Sequence, residues 1–141
     1  MIKAVLDTNV LVSALIMRGH DGISDQIIRR VEAFWLILSE EILTEVNEVL
    51  RYDRLFKKYH LTEEIIRAYL LYLRQIGTVL VDLPKVKAIK DDPSDNKILA
   101  CALAARAKYI VSGDTHLKDL RVFRGIKIMT PAQFLAELRG L

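Results

Sequence analysis

Four acidic side chains occur at positions from which they could act on one ligand. Asp7 comes directly after the first predicted strand, and Asp114 comes directly after the fourth. Asp95 lies in the first turn of the helix that leads into the fourth strand, and Glu45 lies one turn into the helix after the second. Open parallel sheets bind ligands at the carboxyl ends of their strands, so we expect the three aspartates to converge there, with Glu45 leaning towards them.

A group of carboxylates at one sheet edge indicates a site for a divalent cation. Neighbouring carboxylates repel one another, and their pKa values rise unless a positive charge neutralises them. Ligation by oxygen atoms alone selects hard ions such as Mg²⁺ or Mn²⁺. Such an ion lowers the pKa of a bound water and stabilises charge on a transferring phosphoryl group, so the pattern favours phosphoryl chemistry.

Each acid also has an explanation that involves no ligand. Asp7 can cap a helix, Asp95 can be a surface acid favoured by the helix dipole, and Asp114 can be a turn residue. Glu45 shares one helix face with two other glutamates, so spacing alone does not distinguish it from them. Only the aspartates taken together point to a metal site. The other glutamates on that helix face are Glu41 and Glu48.

Predicted strands alternate with predicted helices along the chain. This alternation is typical of an α/β fold with a mostly parallel sheet that helices cover on both faces. Ser39, Thr62 and Thr130 are suited to cap three of the helices, and Asp92 is expected to cap the helix of Asp95, with an indirect role at the site. The predicted strands span residues 2–6, 34–38, 78–83, 109–112 and 126–129.

Length and composition indicate one globular domain over residues 1–141. The hydrophobic fraction is 52% and the charged fraction 28%, which excludes a disordered chain. The longest apolar run is too short to cross a bilayer, and the N-terminus, with Lys3 and an early Asp7, does not resemble a signal peptide. The single cysteine, Cys101, can form no disulfide within the chain, so we expect a buried thiol and a cytoplasmic location.

The net charge of +3 combines two opposed populations. There are 21 lysines and arginines against 18 acids, which is by itself weak evidence for a polyanionic partner. The four candidate metal ligands are counted among those acids. Once they are set aside, the remaining surface is clearly basic, as expected for a protein that binds nucleic acid.

The first two acidic segments resemble motifs of the PIN-domain nucleases. Asp7-Thr8-Asn9, after the first strand, resembles the opening motif of that family. Residues 39–46, Ser-Glu-Glu-Ile-Leu-Thr-Glu-Val, resemble its second motif, in which the last glutamate is Glu45.

The other two acidic segments resemble the third and fourth motifs of the same family. Residues 92–100, Asp-Pro-Ser-Asp-Asn-Lys-Ile-Leu-Ala, place the family's acid at Asp95. Residues 111–114, Val-Ser-Gly-Asp, end in Asp114 and carry Ser112 where threonine is common. The four motifs are collinear and cover essentially the whole chain, which makes the resemblance far more specific than any single motif.

The resemblance implies a metal-dependent endoribonuclease, often the toxin of a prokaryotic toxin–antitoxin pair of the VapC type or a related subfamily. It implies a three-layer α/β/α sandwich with a five-stranded parallel sheet in the order 3-2-1-4-5, an Mg²⁺ or Mn²⁺ cofactor, a protein antitoxin and a homodimer. Many members carry a further acid soon after the fourth motif, where this chain has Thr115-His116-Leu117, so the number of ions stays open. The implied metal ligands and catalytic residues are Asp7, Glu45, Asp95 and Asp114, supported by Thr8, Asn9 and Ser112.

Two groups of cations are candidates to bind the phosphates of RNA. One group lies near the acidic motifs. The other lies in residues 51–60, where Tyr52, Phe56 and Tyr59 alternate with the cations and could stack on bases. That second stretch equally suits an amphipathic helix or a surface for a dimer or partner. The first group is Lys97, Lys118, Arg121 and Arg124, and the second is Arg51, Arg54, Lys57 and Lys58.

Competing functions fit the residues less well. A response-regulator receiver normally has an acidic pair after strand one, where Asp7 stands alone, and an Asp-x-Asp phosphatase needs an acid where Asn9 stands. The sequence contains no nucleotide-binding P-loop. The main alternative is a PIN-like scaffold that binds RNA or protein without cutting it, and the presence of all four motif acids argues against this.

Two further expectations concern single residues. Trp35 lies in a predicted strand and is expected in the core. The three histidines lack the helical spacing of metal ligands and are expected at the surface, with His116 a candidate for contact with substrate because it follows the fourth motif. The other histidines are His20 and His60.

Overall fold

The computed structural model describes residues 1–86 and 93–141, so the predicted cap Asp92 lies outside the described residues. The strands are β1 (Lys3–Leu6), β2 (Trp35–Ser39), β3 (Gly77–Leu80), β4 (Tyr109–Val111), β5 (Val122–Phe123) and β6 (Ile126–Met129). The helices are α1 (Thr8–Ile16), α2 (Ile23–Arg29), α3 (Glu40–Leu50), α4 (Asp53–Phe56), α5 (Glu63–Ile76), α6 (Pro93–Ala105), α7 (Thr115–Leu120) and α8 (Pro131–Arg139), with a 3₁₀ turn at Val31–Ala33.

The described strands form one mostly parallel sheet in the order β3-β2-β1-β4-β6-β5. Val5 of the central strand lies level with Ile37 on one side and Ile110 on the other. The β1 residues from Ala4 to Leu6 are completely buried, as a central strand covered on both faces requires. The predicted fold class is thus confirmed, including the order 3-2-1-4 of the first four strands.

Within the described residues the sheet has six strands where the sequence predicted five, because β5 forms an additional antiparallel edge. Val122 pairs with Lys127, and Phe123 pairs with Ile126. The two residues between them, Arg124 and Gly125, have φ values of 48° and 83°. Positive φ at both central positions is typical of a two-residue hairpin turn whose twist matches that of its strands. The strand predicted at residues 126–129 is therefore β6 rather than the fifth strand.

Helices cover both faces of the sheet. The crossovers β1–β2 and β2–β3 run towards one edge, whereas the α6 crossover runs the opposite way, so right-handed connections place α6 on the face opposite α1 and α3. In keeping with this, α6 contacts β1, β2 and β4, while α1 packs on α2 and α3. The buried hydroxyl of Tyr69 on α5 donates a 2.6 Å hydrogen bond to the carbonyl of Leu11 on α1.

Helices α3 and α5 form an antiparallel pair joined by an ion pair at each end. Near the start of α3, the two terminal nitrogens of the Arg74 guanidinium each donate a 2.7 Å hydrogen bond to one oxygen of the Glu40 carboxylate. Just beyond the end of α3, Arg51 pairs with Glu63 in the first turn of α5. Ser39, the last residue of β2, caps α3, so the helix that carries Glu45 begins at the carboxyl end of that strand.

The expectation that Trp35 lies in the core is wrong, because its side chain is 52% exposed. Trp35 is the first residue of β2 and pairs in register with Lys3 at the amino edge of the sheet. The Lys3 ammonium lies over its ring, 5.4 Å from the ring centroid, in a cation–π contact.

Cys101 is completely buried on α6, as predicted. Burial raises the pKa of its thiol to about 12, so the thiol is neutral and unreactive near pH 7. Among the described helices, none combines the length and the apolar character needed to cross a membrane.

Candidate metal centre

The carboxyl ends of β1 and β4 open into a small cavity of about 200 Å³ that contains all four predicted metal ligands. Asp7 follows β1 directly, Asp114 lies three residues beyond the end of β4, and the other two acids come from α3 and α6. The topology thus brings together side chains that are more than 100 positions apart in the sequence. The lining residues are Asp7, Thr8, Asn9, Glu45, Asp95, Ile98 and Asp114.

Asp7 is held at the centre of this arrangement by both of its carboxylate oxygens. Its Oδ1 accepts a 3.0 Å hydrogen bond from the backbone N–H of Val10, so Asp7 caps α1. Its Oδ2 accepts a hydrogen bond from the hydroxyl of Ser112. The capping explanation of Asp7 is therefore correct, and it is compatible with a place in the acidic cavity, because one carboxylate serves both.

Ser112 links two of the acids. Its completely buried hydroxyl donates to Asp7 and accepts a 2.9 Å hydrogen bond from the backbone N–H of Asp114. A hydroxyl has one donor and can accept at the same time, so serine satisfies both neighbours. The residue that stands in place of the family's common threonine thus retains the hydroxyl group that this contact needs.

The electrostatic environment of Asp7 opposes its ionisation. Burial raises the pKa of its carboxyl group, and the nearby charge of Asp114 raises it further. The hydrogen bonds from Ser112 and from the backbone of Val10 act in the opposite direction, but they do not cancel the effect of burial. The charged form of Asp7 is therefore costly in the absence of a cation.

Asp95 and Asp114 face each other near the mouth of the cavity, together with a histidine. Asp95 is buried in the first turn of α6, and Asp114 caps α7 by accepting from the backbone N–H of His116 at 2.8 Å. The His116 Nδ1 lies 3.9 Å from Asp95 Oδ2 and 4.0 Å from Asp114 Oδ1. One donor atom from each residue fits within a sphere of metal-ligand dimensions, since all three lie within 4.8 Å of one another.

The structure distinguishes Glu45 from the two glutamates that share its helix face. Glu45 is half-buried and lines the acidic cavity, whereas Glu41 and Glu48 are exposed and line only a neighbouring hollow. Lys97 lies in that hollow with its ammonium 4.0 Å from the Glu41 carboxylate. Glu45 lines both hollows, and it is the one of the three glutamates that lines the acidic cavity.

These residues fit a hard divalent cation. The cavity supplies four carboxylates, and among the residues described along its wall none is a lysine or arginine that could neutralise them. Oxygen donors of this kind match the ligand preference of Mg²⁺ and Mn²⁺. Burial of Asp7 and Asp95 provides the low-dielectric surroundings in which a bound cation interacts strongly with its ligands.

The predicted supporting residues line the wall of the cavity, whereas the predicted RNA-binding cations do not. Thr8 is buried and Asn9 exposed, and both line its wall. His116 was expected to be a surface residue, and its side chain is indeed 64% exposed, but it also stands beside two of the acids. The only sequence signal for this was its position two residues after Asp114. Predicted cations outside the cavity wall are Lys97, Lys118, Arg51, Arg54, Lys57 and Lys58.

Substitution Asp7→Asn is expected to stabilise the protein when divalent ions are absent. A carboxyl whose pKa is raised by folding binds its proton more tightly in the folded chain, so its contribution to stability is lost as the pH rises through that raised value. Asparagine keeps the cap without the charge, and its amide nitrogen can donate to the Ser112 hydroxyl oxygen, which replaces the hydrogen bond that Asp7 accepts. At pH 7 in chelator, the free energy of unfolding should rise by about 1 kcal/mol, measured by urea titration.

The exposed Asp119 of α7 provides the matched control, since Asp119→Asn removes the same charge outside the cavity and should leave stability nearly unchanged. Added Mn²⁺ should stabilise the wild type and Asp119→Asn but not Asp7→Asn. A lower stability of Asp7→Asn than of the wild type in chelator would contradict the electrostatic account of this site.

Comparison with known proteins agrees with the geometry of this cavity. The search of curated proteins found no match. A family model described as the PIN domain matches residues 3–116, a segment that includes all four carboxylates of the cavity together with Ser112 and His116. The chain therefore belongs to the PIN domain family, whose members are generally metal-dependent nucleases.

Proposed function

We propose that this protein is an endoribonuclease that uses Mg²⁺ or Mn²⁺ to hydrolyse phosphodiester bonds of RNA. The observation that supports it best is the cavity at the carboxyl edge of the sheet, where four carboxylates lie together without a described cation along the wall. An acidic cavity of this kind cannot bind a polyanion unless a cation intervenes. Membership of the PIN domain family supports a nucleic acid as that polyanion.

The proposed roles of the acids follow from their elements. Asp7, Asp95 and Asp114 would hold the ion, which when bound lowers the pKa of a water and stabilises charge on the phosphoryl group. Glu45 approaches from α3, apart from the three aspartates that follow β1 and β4 or begin α6. Its carboxylate would complete the ion's ligands or accept a hydrogen bond from the attacking water. Ser112, Thr8 and Asn9 would support these groups, as Ser112 already does for Asp7.

The substrate strand requires cations near the acids, and α7 provides the better placed group. Lys118 and Arg121 line an open groove of about 620 Å³ that also includes Lys127 and runs along β6 and α8. This groove begins on the helix that Asp114 caps, so a strand bound there would lead directly to the cavity. Lys97 would contribute from the other side, beside Glu41.

The cations of residues 51–60 remain a second proposed surface for RNA. Several of them already have partners in the chain, since Arg51 pairs with Glu63 and the Lys57 ammonium lies 4.0 Å from Asp53. The Lys58 ammonium lies 5.3 Å from the ring centroid of Tyr59, which leaves less of that ring to stack on a base. These contacts weigh in favour of the groove beside α7.

The biological role proposed for this activity is that of a cytoplasmic toxin, which is tested in living cells because its partners are then present. The proposal includes a protein antitoxin that blocks the nuclease and a homodimer of the chain, both of which the resemblance to VapC-type proteins implies. Two features support this role: the chain carries a net positive charge, and it has an acidic cavity at the carboxyl edge of the sheet. The competing proposal is a scaffold that binds RNA or protein without cutting it.

Substitution Glu45→Gln should lower the rate of cleavage of single-stranded RNA in Mn²⁺ or Mg²⁺ by a factor of about 100 or more, because it removes a charged oxygen from the cavity. The matched control is Glu48→Gln, which makes the same change one turn along the same helix at an exposed position. Cleavage is measured on end-labelled RNA with chelator as the blank. Wild-type protein that binds RNA but does not cleave it with either ion would support the scaffold instead.

Substitution Lys118→Ala should weaken RNA binding and lower the dependence of log K on log salt concentration by about 1, because one phosphate contact is lost. The control is Lys108→Ala, an exposed lysine at the amino edge of the sheet. Binding is measured in chelator, with catalysis blocked, over a range of salt concentrations. Equal slopes for the wild type and Lys118→Ala would contradict a contact between Lys118 and a phosphate of the RNA.

Expression of the wild-type chain should arrest bacterial growth, whereas Asp114→Asn should not, since the latter lacks one of the proposed ligands. Co-expression of the product of the neighbouring gene should restore growth if that product is the antitoxin. Growth arrest by Asp114→Asn equal to that by the wild type would contradict a toxic nuclease activity.

A further inference from the structure

We infer that His116 is an additional ligand of the metal centre and that its imidazole nitrogen makes the centre favour Mn²⁺ over Mg²⁺. This inference rests on the proposed function, since it concerns the ion that the carboxylates would hold. It goes beyond that function in naming a nitrogen donor at a site whose other proposed ligands are all oxygens, and in assigning that donor control over the choice of ion.

The distances around His116 match those between ligands of one ion. Its Nδ1 lies 3.9 Å from Asp95 Oδ2 and 4.0 Å from Asp114 Oδ1, which exceeds the length of a hydrogen bond. Two atoms that each lie about 2.1 Å from a common ion are at most about 4.2 Å apart. The distance from the histidine nitrogen to each carboxylate oxygen therefore lies within the span of two ligands of one ion, and the three donor atoms together lie within 4.8 Å of one another.

The local backbone keeps the ring at the mouth of the cavity. The backbone N–H of His116 donates to Asp114 Oδ1 at 2.8 Å, which ties the histidine to the very carboxylate that would be its fellow ligand. The same oxygen accepts from Leu117, whose side chain is completely buried and anchors α7 to the core. The His116 side chain remains 64% exposed, so it can meet an ion that enters from solvent.

The chemistry of the donor predicts the direction of selectivity. Mg²⁺ demands near-ideal octahedral geometry and gives up its waters reluctantly. Mn²⁺ also suits oxygen ligands, but as a first-row transition ion it exchanges a bound water for a nitrogen donor at a lower cost than Mg²⁺ does. With Asp95 and Asp114 alone, the mouth of the cavity offers no basis for a preference beyond charge and size. The addition of His116 supplies a neutral nitrogen donor that strengthens Mn²⁺ binding more than Mg²⁺ binding.

The test measures binding of Mn²⁺ and of Mg²⁺ to the wild type and to His116→Gln by calorimetry, with no RNA present. We expect His116→Gln to lower the preference for Mn²⁺, expressed as the ratio of the two dissociation constants, by about tenfold. The exposed His20 is the matched control, since His20→Gln makes the same change outside the cavity and should leave the ratio unchanged. Circular dichroism confirms that each variant is folded.

A spectroscopic measurement tests the bond itself. Pulsed electron paramagnetic resonance of the Mn²⁺ complex should show coupling to a ¹⁴N nucleus in the wild type and in His20→Gln, and this coupling should be absent from His116→Gln. Wild-type protein that binds Mn²⁺ without ¹⁴N coupling, and with a ratio that His116→Gln leaves unchanged, would overturn the inference while leaving the carboxylate centre in place.

The remaining outcomes separate this inference from the proposed function. If the wild type binds neither ion, then the metal centre and the role of His116 are both wrong. If His116→Gln weakens RNA binding in chelator but keeps the ion preference, then His116 contacts substrate and the inference is overturned. Cleavage of RNA by the wild type with a normal ion preference in His116→Gln supports the nuclease and excludes the histidine ligand.

Discussion

The hydrogen bond from Ser112 to Asp7 joins the ends of two adjacent parallel strands, and the geometry of the acidic cavity depends on it. Asp7 ends β1 and caps α1, while Ser112 follows β4 and also accepts from the backbone of Asp114. The register of β1 against β4, with Leu6 level with Val111, places these two groups side by side. A single buried hydroxyl thus couples the sheet, a helix cap and two candidate metal ligands.

In this arrangement, the carboxylates that would bind a metal ion lower the stability of the folded chain when no ion is present. A buried carboxylate beside a second acid destabilises the folded chain, and the raised pKa of Asp7 expresses that cost. The surrounding structure offsets it with a complete apolar core, in which β1 and the inward faces of α1 and α6 are buried. Electrostatic destabilisation of this kind is characteristic of sites that bind a charged ligand, because the bound ligand neutralises the repelling charges.

The surface of the protein separates negative charge in the cavity from positive charge in a nearby groove. The four acids of the cavity lie at the carboxyl edge of the sheet. Lys118, Arg121 and Lys127 line the groove that runs from α7 along β6. A net charge of +3 conceals both populations. An anionic strand would be attracted by the groove and repelled by the cavity until a cation is bound there, so the proposed function requires that binding of nucleic acid depend on the ion.

The order of the first four strands was implied by the resemblance to the PIN-domain nucleases. The sequence by itself determined the α/β class and the place of Asp7 at the end of β1. These follow from local patterns, because a strand buried on both faces must be an apolar run and must end in residues that favour a turn. Two residues are too few to show a period, so β5 was missed, although Gly125 marked its turn.

Tertiary structure alone decided which of the three glutamates lines the cavity, whether Trp35 is covered, and that His116 stands beside Asp95. Helical spacing places Glu41, Glu45 and Glu48 on one face and cannot tell how far each lies from the sheet edge. The separation between Asp95 and His116 along the chain carries no information about their distance in space. That distance is set by the pairing of β4 with β1 and by the packing of α6 against both strands.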